Sequence, residues 1–492
     1  MTAELERLAA ACIFPGFEGP VAPEWARRSV GDGLGGFVLF GWNVETREQL
    51  AALTGALRAE RDDVLVALDE EGGDVTRLEW ATGSSYPGNA ALGFVDDVEL
   101  TEEVAAAIGA DLADVGIDVD FAPVADVNTN PLNPVIGIRS FGADPELVGR
   151  HVAAFVRGLQ GVGVVACAKH FPGHGDTATD SHLELPVVET LDPGAVLPFR
   201  AAIEAGVRSI MTAHIVVRSL GDEPSTTSRK VLHDLLRVEL GYDGLVMTDA
   251  LEMRAISAVV GVEEGAVQAI AAGADALCLG HDLHEEAVRS VRDELVEAVR
   301  TGRLPEARLV EAAGRVARTA EWAGQARAAL PDRVARTETG LAAARRALEV
   351  SGDAAVAARA LVVELAPEPG IAAGRLPQGP GDWLRDALPD AELVRLDAPT
   401  LDGVDQRARN RPLVVVVRDA HRYAWQREVV EELLDGRDGI VVETGLPQWR
   451  PSAASAYVAT HGAGRANVQA AAERLYSGSR RGVEQSGSSP GS

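Results

Sequence analysis

Up to about residue 325, short apolar runs alternate with segments of helical spacing, and that alternation restricts the chain to very few architectures. The runs span 36–40, 64–68, 117–121, 164–168, 209–213, 244–248 and 274–279. Their nearly continuous apolar character suits strands buried on both faces of a parallel sheet. Between them, 45–60, 99–114, 146–160, 193–205, 228–240 and 263–272 carry helical periodicity, with acidic, Ser, Thr or Pro starts and Gly near several ends. Repeated strand–helix units over some 300 residues predict either a barrel or a doubly wound sheet.

The polar residues choose between the two. Just past successive strands stand Asn43, Asp69 with Glu70, Asp126, Lys169 with His170, His214, Asp249, and His281 with Asp282. In a (β/α) barrel such groups project from the carboxyl ends of several strands into one mouth. A doubly wound sheet gathers them at one switch point, often beside a glycine-rich phosphate loop. Here the glycine cluster Gly31-Asp-Gly33-Leu-Gly35-Gly36 precedes a strand instead of following one, so it reads as a turn. The expected fold is α/β, a (β/α)8-like TIM barrel over 1–325. Residues 305–350, rich in Ala, Arg and Glu, read as long surface helices, and a helical linker over 326–358 should lead to a smaller α/β sandwich domain over 359–478. The strand-like runs of that domain are 360–365, 392–396, 413–417 and 440–442, with helices at 426–434 and 466–476. A Gly/Ser/Arg/Pro-rich stretch, 479–492, reads as a disordered tail.

Composition narrows the partners. A length of 492 residues exceeds one ordinary core. A net charge of −28 opposes a nucleic-acid partner, which needs a basic footprint. Cys12, Cys167 and Cys278 form no CxxC pair, which fits a reducing compartment without structural disulfides or thiolate metal sites. Glu4 and Glu6 stand where a signal peptide would be basic, and no run of about 18 apolar residues exists to span a membrane. A cytoplasmic protein with no membrane contact is the expectation.

Chemistry concentrates in Lys169-His170-Phe-Pro-Gly-His174-Gly-Asp176-Thr-Ala-Thr-Asp180-Ser-His182. Lys169 is one of only two lysines in the chain. A solvated polar loop is the plainer reading, but so many titratable groups behind a strand point to an active-site rim. Asp180 and His182, two apart in an extended segment, face the same side, and a carboxylate beside an imidazole fixes its tautomer and raises its basicity. Asp249 ends the apolar strand 244–248, where an unpaired buried carboxylate is costly; an N-cap role is the alternative. A carboxylate nucleophile plus a separate acid/base suffices for retaining glycoside hydrolysis. Asp69, Arg139, Lys169 and His170 are candidate sugar-binding groups. A metallohydrolase using His170, His174, His182, Asp176 and Asp180 competes, although Pro172 and Gly173 interrupt any helical His-x-x-x-His spacing. A non-catalytic sugar-binding module is the third class, disfavoured by the separate nucleophile and shuttle.

The long motif from Lys169 to His182 resembles the signature of the β-N-acetylhexosaminidases of glycoside hydrolase family 3. Leu-Asp69-x-Glu-Gly-Gly, Ile-Gly-Ile-Arg139-Ser-Phe-Gly and Val-Met-Thr-Asp249-Ala-Leu-x-Met253 are similar to the same enzymes and occur in family order. Tyr457-Val-Ala-Thr-His-Gly-Ala-Gly resembles the family's second domain more weakly. The resemblance implies catalytic residues Asp249 as nucleophile and His182, oriented by Asp180, as acid/base. It implies substrate binding by Asp69, Arg139, Lys169, His170, His214 and Met253, with His214 lining the pocket and Met253 under the nucleophile loop. His174 and Asp176 would shape the loop. No cofactor or metal is implied, and the partners would be N-acetylglucosamine-containing glycosides. Two departures, Ala250 after the nucleophile and Glu70 where Gln or His is frequent, remove no catalytic atom. Some relatives transfer the sugar to phosphate, and a neutral histidine repels an incoming anion less than a carboxylate does, so phosphorolysis stays open.

Overall fold

The computed structural model describes residues 2–177, 179, 184–281, 285–329, 337–356, 358–367, 374, 376–401 and 403–486, the last ten by backbone alone. They form two compact units: Met1–Glu71, Asp97–Ile136 and Ser140–Ala335 in one, and Gly72–Asp96, Gly137–Arg139 and Arg336–Ser492 in the other. Gly72–Asp96 and Gly137–Arg139, inside the stretch expected to be barrel, therefore group with the second unit.

The first unit is built on eight short strands: β1 (Ile13–Pro15), β2 (Gly36–Val38), β3 (Leu65–Leu68), β4 (Val119–Asp120), β5 (Val165–Phe171), β6 (Ser209–Thr212), β7 (Leu245–Met247) and β8 (Leu277–Gly280). Strands β2 to β7 form one parallel sheet in chain order. β1 pairs in parallel with β8, and a Met247–Ala276 bridge joins β7 to the approach of β8. Phe14, Val38, Ala67, Val119, Cys167, Met211, Met247 and Cys278, one from each strand, share a single core. A flat sheet keeps its outer strands apart; a curled one brings all eight inward, as in a barrel. β1 was missed in the sequence because three residues are too few to show a pattern. The intervening helices match the periodicity within a residue or two. Asp97, Asp144 and Asp192 cap three of them through backbone N–H groups. The segment expected to be an α-helix over 228–240 instead winds as a π-helix, Lys230–Glu239.

The two ends of the barrel differ. Ahead of β4 and β8, at the amino ends, lie the buried carboxylates of Asp118 and Asp275. Asp275 pairs with Arg237 and Arg308, each at 2.5 Å, and with Arg315 at 3.4 Å, and it accepts the Val246 N–H. Asp118 pairs with Arg58 at 2.6 Å and with Arg327. Arg308, Arg315 and Arg327 come from one helix, Glu306–Ala329, whose Val316, Ala320 and Ala323 enter the barrel core. The sequence reading took this stretch for a surface helix; its Ala-rich face hides how much it buries. The three cysteines are buried and free.

The second unit holds β9 (Glu349–Gly352), β10 (Leu361–Leu365), β11 (Glu392–Leu396), β12 (Leu413–Val417), β13 (Gly439–Glu443) and β14 (Ala456–Ala459). They lie in the order β9-β14-β13-β12-β10-β11, parallel except for β9. Strand residues alternate between two cores. Val362, Val414 and Val442 face helices Pro380–Ala387 and Arg465–Ser486, and Val363, Val415 and Val441 face Ala424–Leu434 and Val404–Ala408. This is the α/β sandwich expected. The last helix runs to Ser486, past Tyr476 and into the stretch expected to be disordered, because extending a formed helix costs far less than starting one. No described helix is long and apolar enough to cross a membrane.

Removing the Asp275 charge takes away the carboxylate shared by Arg237, Arg308 and Arg315, although the last two keep Glu311. Asp275→Asn is expected to lower unfolding free energy by about 3–5 kcal/mol in denaturant titration; an unchanged midpoint contradicts this account of the amino end.

Candidate active site

At the carboxyl ends of the barrel strands, β5 gains one extra residue against β6 between Ala168 and Phe171. Such a bulge re-aims the side chains it carries, and here they are Lys169 and His170, joined by a cis peptide. Lys169 is 2% exposed, a state its ammonium tolerates only with counter-charges. It finds two beyond β3: Asp69 at 2.5 Å and Glu71 at 2.7 Å. Beneath them Asp120 accepts the Glu70 N–H at 2.9 Å, and burial holds its carboxyl well above the ordinary range. The wall is thus a lysine between two acids, with a third, fully buried carboxyl behind it.

His170 is held by Asp126, which follows β4. Its Nδ1 lies 2.7 Å from Asp126 Oδ2, while Asp126 Oδ1 accepts the backbone N–H of His174 at 2.6 Å. Burial pushes the Asp126 carboxyl up, but the charges and hydrogen bonds of His170 and His174 outweigh it and lower its pKa. One buried carboxylate therefore fixes both a candidate sugar-binding ring and the start of the glycine loop. Asn133 donates to the His174 carbonyl at 2.9 Å, and Thr177 Oγ1 lies 2.6 Å from His174 Nδ1. Burial lowers the His174 pKa to about 4, against the pull of Asp126, and the charge of Asp249 reaches the same ring. Asp180 and His182 lie outside the described residues.

Asp249 follows β7 and is partly exposed. It accepts the Ala250 N–H at 2.8 Å on Oδ1. The turn behind it is pinned at several points. Met253 N–H donates to the Ala250 carbonyl at 3.1 Å, and Leu251 N–H to Cys278 at 2.9 Å. Glu252 accepts the His281 N–H at 2.9 Å. Met253 itself is buried. His214 departs from expectation. Rather than lining the pocket it has no exposed surface, and both ring nitrogens are taken. Nε2 lies 3.0 Å from the Ala250 carbonyl, which only accepts, so Nε2 carries the proton; Nδ1 faces Thr226 Oγ1 at 2.7 Å. His214 holds the turn after Asp249 in place.

Arg139 ends the short helix Gly137–Arg139 of the second unit, where its carbonyl accepts from Asn89 at 2.7 Å. Sequence reasoning missed Glu71 and the role of Asp126. Both signals were present: a buried lysine demands acids, and Asp126 already stood at a strand end. Among the described residues no group of three or more His, Cys, Asp or Glu is placed to hold a metal ion.

The model of the glycosyl hydrolase family 3 N-terminal domain matches residues 26–319. β-Hexosaminidase A of Pseudoalteromonas piscicida is 36% identical over 316 residues, 58% of this chain and 53% of that protein; the chain thus spans about half of that relative. A β-hexosaminidase of Stenotrophomonas maltophilia is 34% identical over 272 residues, 53% of this chain and 81% of that one. The solved structure of a family 3 β-N-acetylglucosaminidase from Paenibacillus sp. str. FPU-7 superposes with a TM-score of 0.86 at 32% identity, covering 96% of this chain and 97% of that one.

Asp126→Asn is expected to lower kcat/KM roughly 10- to 100-fold with the fold intact by circular dichroism; unchanged kinetics would remove Asp126 as the residue positioning His170. A second expectation concerns pH. An unfolded His174 takes up a proton near 6.5, while the folded one stays neutral down to about 4. Stability should therefore fall as pH drops from about 6.5 to about 4, by about 3 kcal/mol from this group, and level off below. His174→Gln should flatten that slope in denaturation midpoints; an identical slope counts against it.

Proposed function

The chain belongs to glycosyl hydrolase family 3, and we propose that it is a retaining, exo-acting β-N-acetylhexosaminidase that releases terminal N-acetyl-β-D-glucosamine. The observation that carries this reading is the convergence of Asp249 with the Lys169–Asp69–Glu71 wall and the Asp126-held His170 at one end of one barrel. Asp69, Lys169 and His170 bind the sugar hydroxyls, and the family resemblance of the Ile-Gly-Ile-Arg139 motif supports a substrate-binding role for Arg139. The ammonium holds the paired acids at a fixed spacing, where carboxylates can accept from sugar hydroxyls.

Asp249 attacks the anomeric carbon, displaces the aglycone oxygen and forms a glycosyl-aspartate. The pinned turn holds that carboxylate without reorganisation during reaction, and this preorganisation lowers the barrel's share of the barrier. His182, oriented by Asp180, gives its proton to the departing oxygen, then takes one from the water that frees the sugar. The dyad is supported by the family resemblance of the loop and by the fixed anchor that Asp126 gives the loop at His174. The buried, free cysteines suit a reducing compartment and support a cytoplasmic site of action.

Asp249→Ala is expected to cut turnover of aryl N-acetyl-β-glucosaminides by at least about 10³-fold; near-normal kcat would remove it as nucleophile. His182→Ala should slow substrates with poor leaving groups far more than activated aryl glycosides, since only the former need protonation; equal losses on both would count against it as the acid. Incubation with and without phosphate, followed by identification of the sugar product, separates the two fates of the intermediate. Free N-acetylglucosamine in both supports hydrolysis, and a sugar 1-phosphate marks a phosphorylase.

A further inference from the structure

The second unit contains a cavity that the barrel chemistry does not use. Leaving β10, the chain crosses one face through Pro380–Ala387 to β11 on one side. It then returns through Val404–Ala408 on the other face to β12 on the opposite side of β10. The connections reverse direction between β10 and β12, and in open parallel sheets the crevice beyond the carboxyl ends at such a point is where ligands bind. A cavity of about 500 Å³ sits there, lined by residues at the ends of β10, β11 and β12 and just past β13. That volume falls in the roughly 300–1,000 Å³ range of small-molecule sites.

We propose that this cavity is a non-catalytic binding site for a neutral mono- or disaccharide. Its polar groups come as acid–base pairs. Arg395 Nε meets Glu364 Oε2 at 2.5 Å while its Nη2 meets Asp382, and Arg418 Nη2 meets Asp74 Oδ2 at 2.5 Å. Each guanidinium has five N–H donors and each carboxylate about four acceptor sites, so these pairs leave adjacent donors and acceptors over. A sugar hydroxyl, which both gives and takes a hydrogen bond, matches such edges. With Asp397 the lining carries four carboxylates against two guanidiniums, which repels anionic ligands. Trp383 adds an indole face and a buried N–H that has no acceptor among the described residues. The ring is accommodated by Gly83, where a Cβ would stand 2.4 Å from its edge. Aromatic walls with a few placed polar groups are what orient such ligands.

The test uses the full-length Asp249→Asn chain and radiolabelled N,N′-diacetylchitobiose in equilibrium dialysis. Two sites are expected, and introducing Asp397→Ala or Trp383→Phe should weaken one of them about fivefold or more, the loss of roughly one hydrogen bond. In chains that keep Asp249, both variants should retain the parental kcat on an aryl glycoside, which also reports correct folding. If the barrel binds no N-acetylglucosamine the count drops to one, and that remaining site still responds to both variants. A single site indifferent to both, or two sites indifferent to both, overturns the proposal.

Discussion

Burying the Lys169 ammonium is the interaction on which the site depends. A lysine without solvent must be paired, and pairing it with Asp69 and Glu71 brings the end of β3 against the bulged end of β5. The bulge sends the next residue, His170, to Asp126, and Asp126 in turn holds the start of the glycine loop. Three strand ends and one loop are thereby fixed by charge instead of by loop sequence. On the other side of the mouth, His214 and the backbone of β8 hold the Asp249 turn.

The opposite end of the barrel uses the same kind of pairing for another purpose. Asp118 and Asp275 each gather arginines from separate helices, and the helix Glu306–Ala329 closes that end with its apolar face. Charge at the amino ends is neutralised by arginine and locked. Charge at the carboxyl ends is left partly available, with Asp249 partly exposed and Asp69 19% exposed on its side chain. That asymmetry lets one end serve stability and the other chemistry.

Much of this was legible in the sequence. Period and length located seven of the eight barrel strands and the longer helices between them, because buried parallel strands read as unbroken apolar runs; the short helices Glu24–Gly31, Asn89–Val95 and Arg254–Ser257 escaped. The polar residues read as following the strands do stand at the carboxyl ends of β3 to β8. What stayed hidden was set by tertiary geometry. β1, β9 and β14 are too short or too mixed to show a period. The Ala-rich face of Glu306–Ala329 looked solvated. The role of His214 depends on a carbonyl 36 residues away, which no spacing rule reveals. The same holds for the grouping of Gly72–Asp96 with the second unit, since local pattern says nothing of the core a segment joins.

The central claim is that the Asp249 carboxylate forms a bond to the sugar. Incubation with a 5-fluoro N-acetylglucosaminyl fluoride, digestion and peptide mass spectrometry test it directly. The account requires the fluorosugar on Asp249, within the tryptic peptide 238–254. Attachment to any other residue, or turnover of the reagent with no covalent adduct at any time, contradicts it.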